Sequence, residues 1–171
     1  MLVSMFELLQ EAENNNCAIP AFNFCNLETM HPILEVARDL RTPVILQAAF
    51  SEVKYFGGDC IAEFVNKTTN LLGINAALHL DHGKSFSEAV QCIRWGFTSV
   101  MFDGSALPYE ENVFITKKIV EIAHVVGVSV EGELGKIVGS EEVFTEYEET
   151  LTDPDMAAKF VQDTGIDALA I

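Results

Sequence analysis

A chain of 171 residues that is 49% hydrophobic and 21% charged is a globular sequence, long enough for one ordinary domain and too apolar for a disordered one. Its 26 acidic against 10 basic side chains leave a net charge of −16, which argues against nucleic acid and acidic membrane surfaces as partners. The same field repels phosphorylated ligands at long range, so an anionic substrate needs local help from a metal, a few cations or helix N-termini. Cys17, Cys25, Cys60 and Cys92 are scattered without Cys-x-x-Cys spacing. That pattern argues against a disulfide framework or a cysteine zinc knuckle and suits the reducing cytoplasm. Met1-Leu2-Val3-Ser4 is no basic segment followed by an apolar run, and no apolar stretch has the length of a membrane span.

In chain order, Val3–Asn14 reads as an amphipathic helix that stops at the polar run Asn14-Asn15-Asn16. A strand is expected at Ala18–Phe24, a helix at Glu28–Leu40, and a second strand at Pro43–Ala48. Asp59, after Gly57-Gly58, is the candidate cap of a helix over Asp59–Leu72. Strand Ala76–Leu80 follows, then helix Phe86–Trp95 behind a capping Ser85, and strand Ser99–Phe102. Helix Glu110–Val125, strand Val128–Glu133, helix Pro154–Thr164 and strand Ala168–Ile171 complete the series. Asp153 is the expected cap of the last helix, with Pro154 at its first position.

Alternating strands and helices imply parallel pairing through right-handed crossovers in a single α/β domain. An open doubly wound sheet and a closed barrel both satisfy this pattern. No Gly-x-Gly-x-x-Gly follows the first strand, where a dinucleotide fold would place it. The series ends inside what reads as a buried strand, Ala168-Leu169-Ala170-Ile171, so the domain is expected to be incomplete.

Three segments carry reactive groups where an apolar strand gives way to a turn. In His79-Leu80-Asp81-His82-Gly83-Lys84-Ser85, the carboxylate suits proton transfer and the imidazole suits metal binding. A capping Asp beside a surface His is the competing reading. In Met101-Phe102-Asp103-Gly104-Ser105 the acid is either a ligand or a turn residue. In Val130-Glu131-Gly132-Glu133, Glu131 and Glu133 share one strand face. Two carboxylates on a buried face need a cation or donors to offset their desolvation; on an open face they need nothing. Lys136–Glu142 reads as an acidic surface loop or as a cover over a pocket.

No lysine falls inside an expected strand, which argues against Schiff-base chemistry and favours a metal Lewis acid. The four histidines, His31, His79, His82 and His124, lack His-x-x-x-His and His-Glu-x-x-His spacing. His124 reads as structural.

These segments, with Pro20-Ala21-Phe22-Asn23, Thr42-Pro43-Val44-Ile45-Leu46, Glu110-Glu111-Asn112 and Thr164–Ala170, resemble the class II fructose-bisphosphate and tagatose-bisphosphate aldolases in order and spacing. The resemblance implies a TIM (β/α)₈ barrel, of which this chain holds about six of the eight βα units. It implies reversible cleavage of a ketose 1,6-bisphosphate to dihydroxyacetone phosphate and glyceraldehyde 3-phosphate. A divalent metal, usually zinc, is implied, with a monovalent cation as an optional second ion.

By resemblance His82 is a ligand of the catalytic metal and Asp81 the acid/base at the C4 hydroxyl. Asp103 and Glu133 match acids that hold a metal in a second, deeper position. Glu141 matches a loop acid that moves the proton on the dihydroxyacetone-phosphate carbon, and Asn23 lies near the substrate. Relatives are usually dimers or tetramers at full length. Ala49 stands where the family has a phosphate-binding hydroxyl, and Val138-Gly139-Ser140-Glu141-Glu142 departs from the family's Gly-Gly loop. With the later histidines and phosphate loops missing, the 171 residues are expected to be inactive alone. A non-catalytic module of the same lineage and an unrelated cation-binding α/β protein are the alternatives.

Overall fold

A computed structural model describes residues 1–135 and 152–171. Among these, six strands occur: β1 (Ala21–Asn23), β2 (Val44–Ala49), β3 (Ala76–Gly83), β4 (Ser99–Phe102), β5 (Ser129–Glu133) and β6 (Ala168–Ala170). The helices are α1 (Met5–Asn14), α2 (Leu27–Leu40), α3 (Phe50–Phe56), α4 (Gly58–Leu72), α5 (Phe86–Trp95), α6 (Tyr109–Val125) and α7 (Pro154–Thr164).

All strand pairs are parallel, and the strands lie side by side in chain order from β1 to β6. Such an array, each strand reached through a helical crossover, is the first part of a (β/α)₈ barrel. The sheet is a curled half-barrel, as the family resemblance implied.

Alternation along each strand separates two faces. Leu46, Leu78, Leu80, Val100, Phe102 and Val130 join the main core, against Leu34, Val65, Ala89, Cys92, Ile119 and Phe160 from the helices. Each fully buried apolar side chain of this size contributes about 1.5–3 kcal/mol. Gly132 lies under the ring of Phe160, so Glu131 and Glu133 face the other, concave side. The lower part of that side is filled by α1, whose Met5 and Leu8 pack with Ile45 and Ala77. The N-terminal segment is tied down by backbone bonds from Val3 N–H to Ala76 and from Ala76 N–H to Met1.

Two helix starts carry their expected caps, Ser85 and Asp153, and α1, expected from Val3, starts at Met5 behind a capping Ser4. Ser4 Oγ accepts from the Glu7 amide, Ser85 Oγ from Glu88, and Asp153 from Asp155 and Met156. Elsewhere the boundaries differ. The first strand is three residues long, not seven: Pro20 offers only its carbonyl, which accepts from Ile45 N–H, and regular pairing begins at Ala21. Helix α3 was not anticipated. It begins as soon as β2 ends because the Glu52 carboxylate accepts from the Ala49 amide, 3.0 Å away. Helix α4 starts at Gly58 behind Gly57, so Asp59 lies within its first turn and is not its cap. Strand β3 continues to Gly83, three residues beyond its expected end.

Candidate active site

The extension of β3 builds the site. In a regular strand Asp81 and His82 would point to opposite faces. The pairing of β3 with β4 jumps in register between Leu80 and Gly83, and His82 adopts φ 47, in the left-handed region. This bulge turns His82 toward the rim occupied by Asp103 and Glu133. Gly83 permits it: a Cβ there would lie 2.6 Å from the Met101 carbonyl oxygen and 2.8 Å from Leu80.

Asp81 sits in an amide cluster. Asn23 Nδ2 donates to its carboxylate at 2.7 Å, and Gln47 Nε2 donates to Asn23 Oδ1 at 2.9 Å and to Asp81 at 3.3 Å. Three successive strands thus place Asn23, Gln47 and Asp81 together. His82 Nε2 lies 3.9 Å from Asp81, and its Nδ1 lies 3.0 Å from Asp103 and 3.3 Å from Glu133.

Asp103 is nearly enclosed and richly bonded. Ser105 donates to it through Oγ at 2.6 Å and through its amide at 3.1 Å, and the Lys84 ammonium also bonds it. Burial alone would raise its pKa, but the hydrogen bonds from Lys84, Ser105 and His82 prevail and hold the carboxyl far below the usual range. Glu133 is the reverse case. It is 2% exposed, and burial first, then the charge of Asp103, push its pKa up, with His82 partly opposing. Its Oε2 is buried without a hydrogen-bond partner among the described residues. The 3.3 Å approach of His82 Nδ1 is an electrostatic contact, because that nitrogen is already directed at Asp103.

The tip of β5 is fixed from behind. Buried Asn112 donates to the Glu133 carbonyl at 2.9 Å and accepts from Thr116 at 3.1 Å. Gly104 makes room for it, since a Cβ there would lie 2.2 Å from Asn112 Oδ1.

One atom each from His82, Asp103 and Glu133 can be chosen so that all lie within 4.8 Å of one another. An imidazole nitrogen and two carboxylates, one with an unbonded buried oxygen, fit a divalent cation. Of the expected site residues, the structure therefore groups Asn23 with Asp81, and His82 with Asp103 and Glu133, on adjoining parts of one rim. Glu141 lies outside the described residues.

Gln47, Lys84, Ser105 and Asn112 were not singled out from sequence. Gln47 is the one polar residue in Val44–Ala49, and Ser105 stands two places after an Asp, the spacing of an Asx turn. Lys84 carried no signal of its own. His124 pairs with Asp167 at 2.9 Å, away from this rim, in keeping with a structural role.

A parallel half-barrel with acids and an imidazole at the C-terminal ends of its strands has the layout of a TIM-barrel enzyme site. The profile described as "Fructose-bisphosphate aldolase class-II" matches residues 3–171, and the chain belongs to that family. A fructose-bisphosphate aldolase of Thermus caldophilus is 41% identical over 100% of this chain and 56% of its own length. One of Staphylococcus aureus strain Mu50 is 44% identical over 99% of this chain and 60% of its own. Among solved structures, the YdjI aldolase of Escherichia coli K12 superposes with a TM-score of 0.85 at 30% identity, over 100% of this chain and 61% of that one. The chain thus spans somewhat more than half the length of these relatives.

Proposed function

We propose that the chain is part of a metal-dependent aldolase that reversibly cleaves a ketose 1,6-bisphosphate, fructose before tagatose, to dihydroxyacetone phosphate and glyceraldehyde 3-phosphate. The observation that carries this reading is the meeting of His82, Asp103 and Glu133 from three strands, beside the Asp81 amide cluster. These three residues would hold a divalent cation in the deeper of the two positions the resemblance implies, and His82 with the family's further histidines would hold it in the catalytic one, zinc by family resemblance. When bound, such an ion supplies a Lewis acid that stabilises negative charge on an enediolate.

Asp81 takes the proton of the C4 hydroxyl during cleavage and returns it during condensation. The Asn23 and Gln47 amides hold the carboxylate in place for that exchange, and Asn23 also reaches the substrate. Lys84 and Ser105 keep Asp103 charged and oriented. Glu141 moves the proton on the dihydroxyacetone-phosphate carbon.

A catalytic zinc site takes three protein ligands in a fixed geometry, and family members draw further histidines from beyond the part matched here. The 171 residues act as one partial barrel and have no turnover alone. The full-length protein is a dimer or tetramer.

Cobalt and zinc titrations of the chain test the centre: one ion should bind, and His82→Ala should abolish binding. A coupled aldolase assay tests the rest. The chain alone should be silent, and joining it to the last two fifths of the Staphylococcus aureus relative should restore turnover. In that chimaera Asp81→Asn should lower kcat by roughly 10²–10⁴-fold. Family-like turnover by the chain alone, or no effect of Asp81→Asn, would refute the respective assignment.

A further inference from the structure

His79 has no part in the chemistry above, yet it is the largest polar side chain buried almost completely in the sheet, at 2% exposure. It lies on β3, two residues below Asp81 and on the same concave face. Its Nδ1 meets Ser99 Oγ of β4 at 2.8 Å, and its Nε2 meets Glu131 Oε2 of β5 at 3.3 Å. Ser99 Oγ can in turn donate to the Met5 sulfur at 3.7 Å. Both ring nitrogens therefore have oxygen partners, one on the neighbouring strand and one on the strand beyond it.

Adjacent strands lie about 4.8 Å apart, so β3 and β5 are separated by roughly 10 Å along a flat sheet. An imidazole and a carboxylate leaning toward each other just reach across that gap, and a sheet curled toward its concave face brings them closer. The His82–Glu133 contact spans the same two strands one layer higher, since Glu133 follows Glu131 by two residues, about 6.6 Å along the strand. The two pairs thus link β3 to β5 at successive levels. The lower pair is enclosed, and the upper pair is half open, with His82 at 47% exposure.

We propose that His79 and Glu131, steadied by Ser99, form a buried cross-brace that holds β3 and β5 at the separation His82 and Glu133 need to share a cation. His79 is thus a positioning residue; the proposal rests on the metal-centre reading. The brace sets the ligand spacing before an ion arrives, so the ion does not have to bend the sheet as it binds.

The test is cobalt binding by the full chain, read as affinity and as the visible absorption spectrum, with circular dichroism and the thermal midpoint recorded for every variant. His79→Phe keeps the ring and removes both bonds; it should weaken cobalt affinity on the order of 10-fold and alter the spectrum. His79→Gln, whose amide can still donate to Glu131, should recover most of the loss. If His79→Phe does not fold, Glu131→Gln reads the same brace and should also weaken binding. A role in stability alone would lower the midpoint and leave affinity and spectrum untouched in folded protein, and that result overturns the proposal. Unchanged affinity in these variants while His82→Ala abolishes binding overturns the brace and spares the metal centre. Absence of cobalt binding by the unaltered chain overturns both.

Discussion

The two faces of the sheet divide the labour of the chain. The outer face is a continuous apolar layer of Leu46, Leu78, Leu80, Val100, Phe102 and Val130 under the helices. The concave face carries Gln47, His79, Asp81, Ser99, Glu131 and Glu133 on the same strands, one residue out of phase. Along these strands the outer-core residues and the polar residues of the candidate site alternate, although the lower concave side also packs Ile45 and Ala77 against α1. The lesson is that a substitution's consequence depends on its parity along the strand more than on its depth of burial. Leu78 and His79 are adjacent and both buried, yet they serve different ends.

The largest expected effect breaks the outer face alone. Leu78→Ala should cost roughly 2–5 kcal/mol in denaturant unfolding, while the folded fraction keeps its cobalt affinity. On the concave face Glu133→Gln should do the opposite. Cobalt affinity should fall on the order of 100-fold. Metal-free stability should rise at neutral pH, because burial and the charge of Asp103 disfavour the charged form of this carboxyl in the fold.

Acid titration of the metal-free chain sharpens this further, since the two carboxyls have opposite signs. Glu133 is raised in the fold, so its favourable contribution is complete below its ordinary value of 4.5 and disappears as pH rises through the higher folded value. Asp103 is lowered, so its contribution is complete above its ordinary value of 3.8 and disappears as pH falls through the lower folded value. Asp103→Asn should therefore be destabilising at neutral pH, where Glu133→Gln is stabilising.

A smaller effect belongs to helix ends. Ser85→Ala should cost about 1 kcal/mol by freeing the Glu88 amide. The smallest concerns thiol reactivity. Cys92 lies in the outer core, and burial first, then Glu88, push its thiol up to about 12. In the native chain, exposed Cys17 and Cys60 should react first with a disulfide reagent. Cys25 should follow more slowly, its thiol raised by Glu52, and Cys92 should react only when the outer layer opens.

Much of this organisation was legible in the sequence because apolar spacing reports the outer face directly. The alternation of strands and helices, the parity of Glu131 and Glu133, and the caps at Ser85 and Asp153 all follow from spacing and turn chemistry, while the order of the strands in the sheet came only with the family resemblance. The bulge was not legible. Asp81-His82-Gly83 reads as a loop by composition, and only the register between β3 and β4 shows that the chain is still a strand there. Helix α3 escaped because seven residues give too little periodicity to separate it from a turn. Asn112 and Lys84 act through partners distant in sequence, Glu133 and Asp103, which no local pattern announces. His79 sat inside an apolar run, where its side-chain partners on two other strands could not be seen.

The bulge at the end of β3 also has a mechanical meaning. Asp81 and His82 share a single peptide unit, so the group assigned to the proton and the group assigned to the cation ride on one rigid plate. A rotation of that peptide plane moves the backbone at both Cα atoms together. On the proposed reading, the cation ligand and the proton-handling carboxylate are thus held at one fixed Cα–Cα spacing by the main chain.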